Sequence, residues 1–233
     1  MSLKYSLLTL IAALSVPAFA IDPIDSLTFG DASSESSHQL HEFKCEVCKG
    51  TLDTPARRLL PLDSPSWDGG RMSFKMKVDP RQVNYFTARF SGDEITENRL
   101  FLFVSGKQIG WRHLGEVDQL DYGTWQPACL GRFYYNTFPL PLDLTQGKTE
   151  VEFEIRSSGK IWGYANTWEK YQKDMTEPSR SIFRVYTHTG GYFVPPGDEK
   201  QGESPKDPPI TKVPGDEVLD PVVDNAAAKR AGE

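Results

Sequence analysis

After its first twenty residues the chain has no apolar run approaching the roughly 20 residues that a membrane span needs, so no span is expected. Positive charge is also scarce. The 26 lysines and arginines face 32 aspartates and glutamates, a formal net charge of −6. A chain of that sign has no electrostatic reason to seek nucleic acid or an anionic membrane. There is no G-x-S-x-G elbow to expose a serine nucleophile, no twin arginine in the first twenty residues, and no N-x-S/T acceptor for N-glycosylation. Cysteine occurs only three times, as Cys45, Cys48 and the odd Cys129. No catalytic motif is present.

What the chain does have begins with its leader. Lys4 supplies a positive n-region, residues 7–16 an apolar h-region, and Ala18-Phe19-Ala20 a small-x-small cleavage site. Residues 1–20 are therefore expected to be a signal peptide, placing the mature chain outside the cytoplasm, in the periplasm or secreted. Residues 21–50, with serines clustered at 33–37, read as a flexible leader. Residues 51–195 carry the apolar periodicity of a folded domain. From Pro196 onward the chain holds no aromatic residue and is rich in Pro, Asp, Glu and Lys. Such a segment buries too little apolar surface to offset its chain entropy and is expected to be a disordered tail or a linker to a further domain.

Within the domain the dominant period is two. Residues 71–78 set Met72, Phe74, Met76 and Val78 against Arg71, Ser73, Lys75 and Lys77. Residues 84–90 set Phe86, Ala88 and Phe90 against Tyr85, Thr87 and Arg89. Residues 149–156 set Val151, Phe153 and Ile155 against Glu150, Glu152 and Glu154. Residues 182–188 alternate as Ile182, Arg184, Tyr186 and His188 against Phe183, Val185 and Thr187. Residues 99–104 are apolar on both faces, like a strand covered on both sides, and Phe101 and Phe103 are assigned to the core. Ser105-Gly106-Lys107-Gln108 then reads as a tight hairpin turn. Only residues 164–175, with Tyr164, Trp168, Tyr171 and Met175 at helical spacing before Pro178, read as a short helix. The class is all-β, a β-sandwich of jelly-roll type with disordered termini.

Two stretches, residues 98–109 (NRLFLFVSGKQI) and 138–153 (FPLPLDLTQGKTEVEF), resemble strand–turn–strand segments of galactose-binding-like jelly rolls. Similar accessory sandwiches accompany secreted glycoside hydrolases, including β-L-arabinofuranosidase-like enzymes built on a helical barrel. The resemblance implies a non-catalytic module that binds carbohydrate or a catalytic partner domain. It brings no catalytic residue with it.

The residues themselves offer a saccharide platform. Trp111, Arg112, Asp118, Asp121, Trp125, Arg132 and Tyr135 fall in one short stretch, and Trp162 and Trp168 form a second cluster. Sugar C–H faces stack on Trp and Tyr, while Arg and Asp take hydroxyls through directional hydrogen bonds. Packing of the same aromatics in the core is the plain alternative. A hydrolase using Asp118 or Asp121 is a further reading, although sequence spacing cannot fix the carboxylate separation it requires. A structural or protein-interaction domain is another. His38, His41, Cys45 and Cys48 are the candidate zinc ligands, but one short stretch struggles to wrap a tetrahedron. A local disulfide or two thiols in a flexible loop is the simpler reading, and no metal or other cofactor is expected.

Overall fold

A computed structural model describes residues 22–64, 66–92, 94, 96, 98–109, 129–160 and 176–199. Their strands form two antiparallel sheets. The six-stranded sheet runs β3 (Cys45–Lys49), β4 (Pro55–Leu59), β11 (Ile182–His188), β6 (Tyr85–Gly92) and β9 (Cys129–Pro139), with β1 (Asp25–Thr28) also paired to β11. The five-stranded sheet runs β2 (His41–Phe43), β5 (Asp68–Lys77), β10 (Glu150–Ser158), β7 (Leu100–Val104) and β8 (Lys107–Gln108). The chain changes sheet at most connections, as a jelly roll does, and the fold is the expected β-sandwich. No helix among the described residues is long and apolar enough to cross a membrane.

The period-two pattern builds the core directly. Met72, Phe74 and Met76 are buried along β5, with Val78 buried just beyond its end, and Val151, Phe153 and Ile155 along β10. Across the interface Phe86 stacks on Phe153 with ring centroids 5.0 Å apart, and Phe29 meets Phe74 edge-on at 5.7 Å. Each such side chain contributes about 1.5–3 kcal/mol when fully buried, so this aromatic centre dominates the attraction between the sheets.

Several expectations are corrected. Phe101 and Phe103 are only half-buried, because Leu100, Leu102 and Val104 take the inner face of β7. The outer face is covered instead by polar side chains, with the Arg156 guanidinium 4.1 Å from the Phe103 ring centre. The alternation along β11 breaks at Phe183. There the pairing with β6 shifts by one residue, so Ile182 and Val185 both reach the core while Phe183 joins Ala56 and Phe133 in a separate cluster. The hairpin turn is two residues long: Ser105 and Gly106 both have positive φ, and Lys107 already pairs with Val104. That is the backbone of a type I′ turn.

The stretch read as a flexible leader belongs to the fold. It supplies β1, β2 and β3 to both sheets and a helix, α1 (Ala32–Ser37), whose Asp31 caps it by accepting from the Ser34 N–H at 2.9 Å. A second short helix, α2 (Leu142–Thr145), joins β9 to β10. The helix expected over 164–175 lies outside the described residues, as do residues 1–21 and 200–233.

Candidate functional site on the outer face of the six-stranded sheet

Of the proposed saccharide platform, Trp111, Arg112, Asp118, Asp121, Trp125, Trp162 and Trp168 lie outside the described residues. Arg132 sits on β9, with its side chain likewise outside them. Tyr135 is described, and the structure sets it among residues that the sequence reading had not selected.

Side chains at alternate positions of β6, β9 and β11 point away from the sandwich core. Arg89 on β6 is the register partner of Tyr135 on β9 and of Arg184 on β11, and Tyr186 follows two residues later on the same face as Arg184. These four side chains surround one carboxylate, that of Glu199, which is 3% exposed. The Tyr135 hydroxyl donates to its Oε2 and the Tyr186 hydroxyl to its Oε1. Arg89 Nε lies 3.4 Å from Oε2 and Arg184 Nη1 3.5 Å from Oε1. Burial first, and then the Glu199 carboxylate, push the Tyr186 hydroxyl well above its ordinary range, so it stays protonated as a donor.

Beside this cradle lies an aromatic floor. The Phe193 ring packs on Tyr135, Tyr186 and His188 with centroids 5.3, 4.8 and 5.1 Å away. His188 is buried, and its Nε2 shares a 2.7 Å hydrogen bond with Thr87 Oγ1. Burial holds its pKa below the usual histidine value, favouring the neutral ring in this contact. Arg89 also lies over the Phe133 ring at 3.7 Å. The arrangement combines flat apolar surface with fixed donors, which suits a ligand carrying both a ring and oxygen acceptors.

No protein-family model matches the sequence, and comparison with curated proteins gave no match. Solved structures do resemble it. The likeness is to carbohydrate-binding modules. A native family 35 module from Clostridium thermocellum is 10% identical, covers 71% of this chain and 99% of its own, and has a TM-score of 0.37. The family 35 module of Paenibacillus barcinonensis is 8% identical over 65% of this chain and 93% of that one, also at 0.37. TmCBM27, a module whose specific mannan recognition has been dissected, is 12% identical over 72% and 98%, with a TM-score of 0.39. These superpositions are too loose to bring a ligand or a site across to this chain.

The four candidate zinc ligands are dispersed. His38 Nδ1 lies 2.7 Å from the Ser34 carbonyl and its Nε2 3.2 Å from Asp25 Oδ1, while His41 is exposed on the other sheet. Cys45 and Cys48 stand on β3 as free thiols rather than as a disulfide or within a flexible loop. Among the described residues, no three His, Cys, Asp or Glu side chains are grouped to hold a metal ion.

Arg89, Arg184, Tyr186, Phe193 and Glu199 were missed by the sequence reading, which searched loops for aromatic clusters. The available signal was an outward-facing arginine on each of two strands, β6 and β11, each alternating with polar or aromatic neighbours on the solvent side.

Proposed function

We propose that the protein is an exported, non-catalytic module that binds saccharide on the outer face of its six-stranded sheet. The observation that carries this reading is the convergence of Arg89, Tyr135, Arg184 and Tyr186, drawn from three strands, beside the aromatic floor at Phe193. With Glu199 and Phe193 moved aside from the positions they fill here, the arginines and tyrosines would donate directional hydrogen bonds to sugar oxygens, and the uncovered rings would supply a surface for C–H stacking. Three of the four side chains face one another in strand register, so their spacing is set by the sheet and little freedom remains to be lost on binding. The leader at 1–20 supports export. The charged, proline-rich sequence from Pro196 onward supports attachment to a further domain, for which a glycoside hydrolase is the partner of choice.

The test is a glycan-array screen of the full chain lacking only its leader, followed by titration of any hit. Saturable binding to one sugar class, weakened at least tenfold by Arg184→Ala with the fold intact, is expected. A blank array from a folded sample would remove the saccharide reading and move the module to protein docking.

A further inference from the structure

We infer that Cys45 and Cys48 form a redox latch. As thiols they seat the edge strand β3; a disulfide between them closes only with β3 displaced, which uncovers an apolar patch of Ala56, Phe133 and Phe183.

The strand keeps the two sulfurs apart. Both residues are in register with β4, Cys45 opposite Leu59 and Cys48 opposite Ala56. Three residues of extended chain separate their Cα atoms by about 10 Å, whereas a disulfide needs about 4.4–6.8 Å. The side chains also leave β3 on opposite faces. Cys45 packs on the core between the sheets, and Cys48 on the separate cluster of Ala56, Phe133 and Phe183. No side-chain rotation closes a bond through the strand, so seated β3 and a Cys45–Cys48 bridge exclude each other.

β3 can leave without dismantling its sheet, because among the described residues it is the edge and pairs with β4 alone. Each thiol helps to hold it. Arg57 Nη1 lies 3.8 Å from Cys45 Sγ. Ser181 Oγ donates to Glu94 Oε1 at 2.5 Å, so in its 3.4 Å contact with Cys48 the S–H donates to the hydroxyl oxygen. A disulfide sulfur has no hydrogen to give. The surface beneath is apolar. Phe133 meets Phe183 edge-on at 4.9 Å, both rings are buried, and Gly50, just past β3, lies so close that a Cβ would stand 2.5 Å from the Phe183 ring.

The chemistry is exchange with a small disulfide such as oxidised glutathione. One cysteine thiolate attacks its S–S bond and expels a glutathione thiolate; the second then attacks the mixed disulfide and expels the other. Two protein thiols are oxidised, one glutathione disulfide is reduced, and each leaving thiolate takes up a proton that a cysteine gave up. Burial raises both thiols, so exchange runs through the displaced strand.

The experiment exposes the full leaderless chain to oxidised glutathione at pH 8, folded or in urea. Trypsin releases Cys45–Lys49 with both cysteines in one peptide, so its mass reports the bridge directly. Closure should be at least a hundredfold slower in the folded chain. Chain carrying Cys129→Ser, oxidised in urea and then refolded, should unfold cooperatively. It should also lose hydrogen-exchange protection at least a hundredfold along β3, bind a hydrophobic dye, and recover on reduction with dithiothreitol. The rate comparison on the unaltered chain stands whatever the fate of that variant. Equal closure rates, full protection of β3 in the oxidised chain, or an oxidised chain that does not fold where its reduced form does would each overturn the latch. None of these outcomes bears on the saccharide reading, whose test is the array.

Discussion

Arg57 shows how one side chain can join parts of the chain that are far apart in sequence. It is nine-tenths buried, yet its Nε and Nη2 donate to the two oxygens of Glu35 at 2.6 and 2.8 Å, and its Nη1 reaches Glu42. The cation on β4 thereby fastens α1 and β2. Arg57→Ala would leave Glu35 buried without its partner and should cost about 3–5 kcal/mol in a urea melt. Burial raises the Glu35 carboxyl, but the hydrogen bonds from Arg57 and the Gly30 N–H, with the Arg57 charge, outweigh it and hold the pKa below the ordinary value. A depressed carboxyl contributes stability that is complete above its unfolded pKa and is lost as pH falls through the folded one. Between pH 6 and 3 the stability of Glu35→Gln should therefore decline less steeply than that of the unaltered protein. On the neighbouring strand, burial and then the nearby Glu35 charge push the Cys45 thiol up to about 12. Thiolate is the reactive form, so iodoacetamide at pH 8 should label Cys45 on the order of a thousandfold more slowly in the folded chain than after unfolding. Equal rates would contradict this burial.

Two glycines make the same substitution costly for different reasons. Gly70, in β5, passes so close to a connecting segment that a Cβ would stand 2.1 Å from the Lys44 carbonyl oxygen. That crossing is hydrogen-bonded, with Gly70 N–H to Leu60 O at 2.9 Å and Leu60 N–H to Lys44 O at 2.8 Å, so the backbone cannot give way cheaply. Gly70→Ala should cost about 3 kcal/mol. Gly106 has open space around it, and its constraint is a φ of 78° in the turn between β7 and β8. Gly106→Ala should cost about 1 kcal/mol, measured by the same thermal or urea unfolding, and the difference between the two separates overpacking from backbone strain. Elements of this kind were unevenly legible in the sequence. β5 and β10 were readable because one face is core and the other solvent, giving a strict period of two. β11 was readable as a strand with its bounds at 182–188, but not in which side chains face the core, since the shift at Phe183 breaks the alternation and its outer face is also buried, beneath Phe193 and Glu199. The cradle was hidden for the same reason: Arg89 looked solvated, and nothing local to it announces a partner over a hundred residues later.

At the scale of the whole molecule the least legible boundary was the first one. Residues 22–50 look like a polar leader because their apolar side chains are few and their serines many, and local composition carries no trace of long-range pairing. Yet Leu27 and Phe29 are fully buried, β1 lies along β11, β2 forms one edge of the five-stranded sheet, and β3 forms one edge of the other. Removing this segment would empty two core positions worth about 1.5–3 kcal/mol each. It would also strip Arg57 of both its carboxylates and expose the strand edges of β4, β5 and β11. Those losses are comparable to the roughly 5–15 kcal/mol by which an ordinary domain is stable. A chain beginning at Gly50 should therefore show no cooperative urea transition and no near-ultraviolet circular dichroism from packed aromatics, whereas the same chain beginning at Asp22 should show both. Cooperative unfolding of the shorter chain, at a midpoint close to that of the longer one, would mean that the sandwich closes without its N-terminal strands and that β1, β2 and β3 are additions to a core complete from β4 onward.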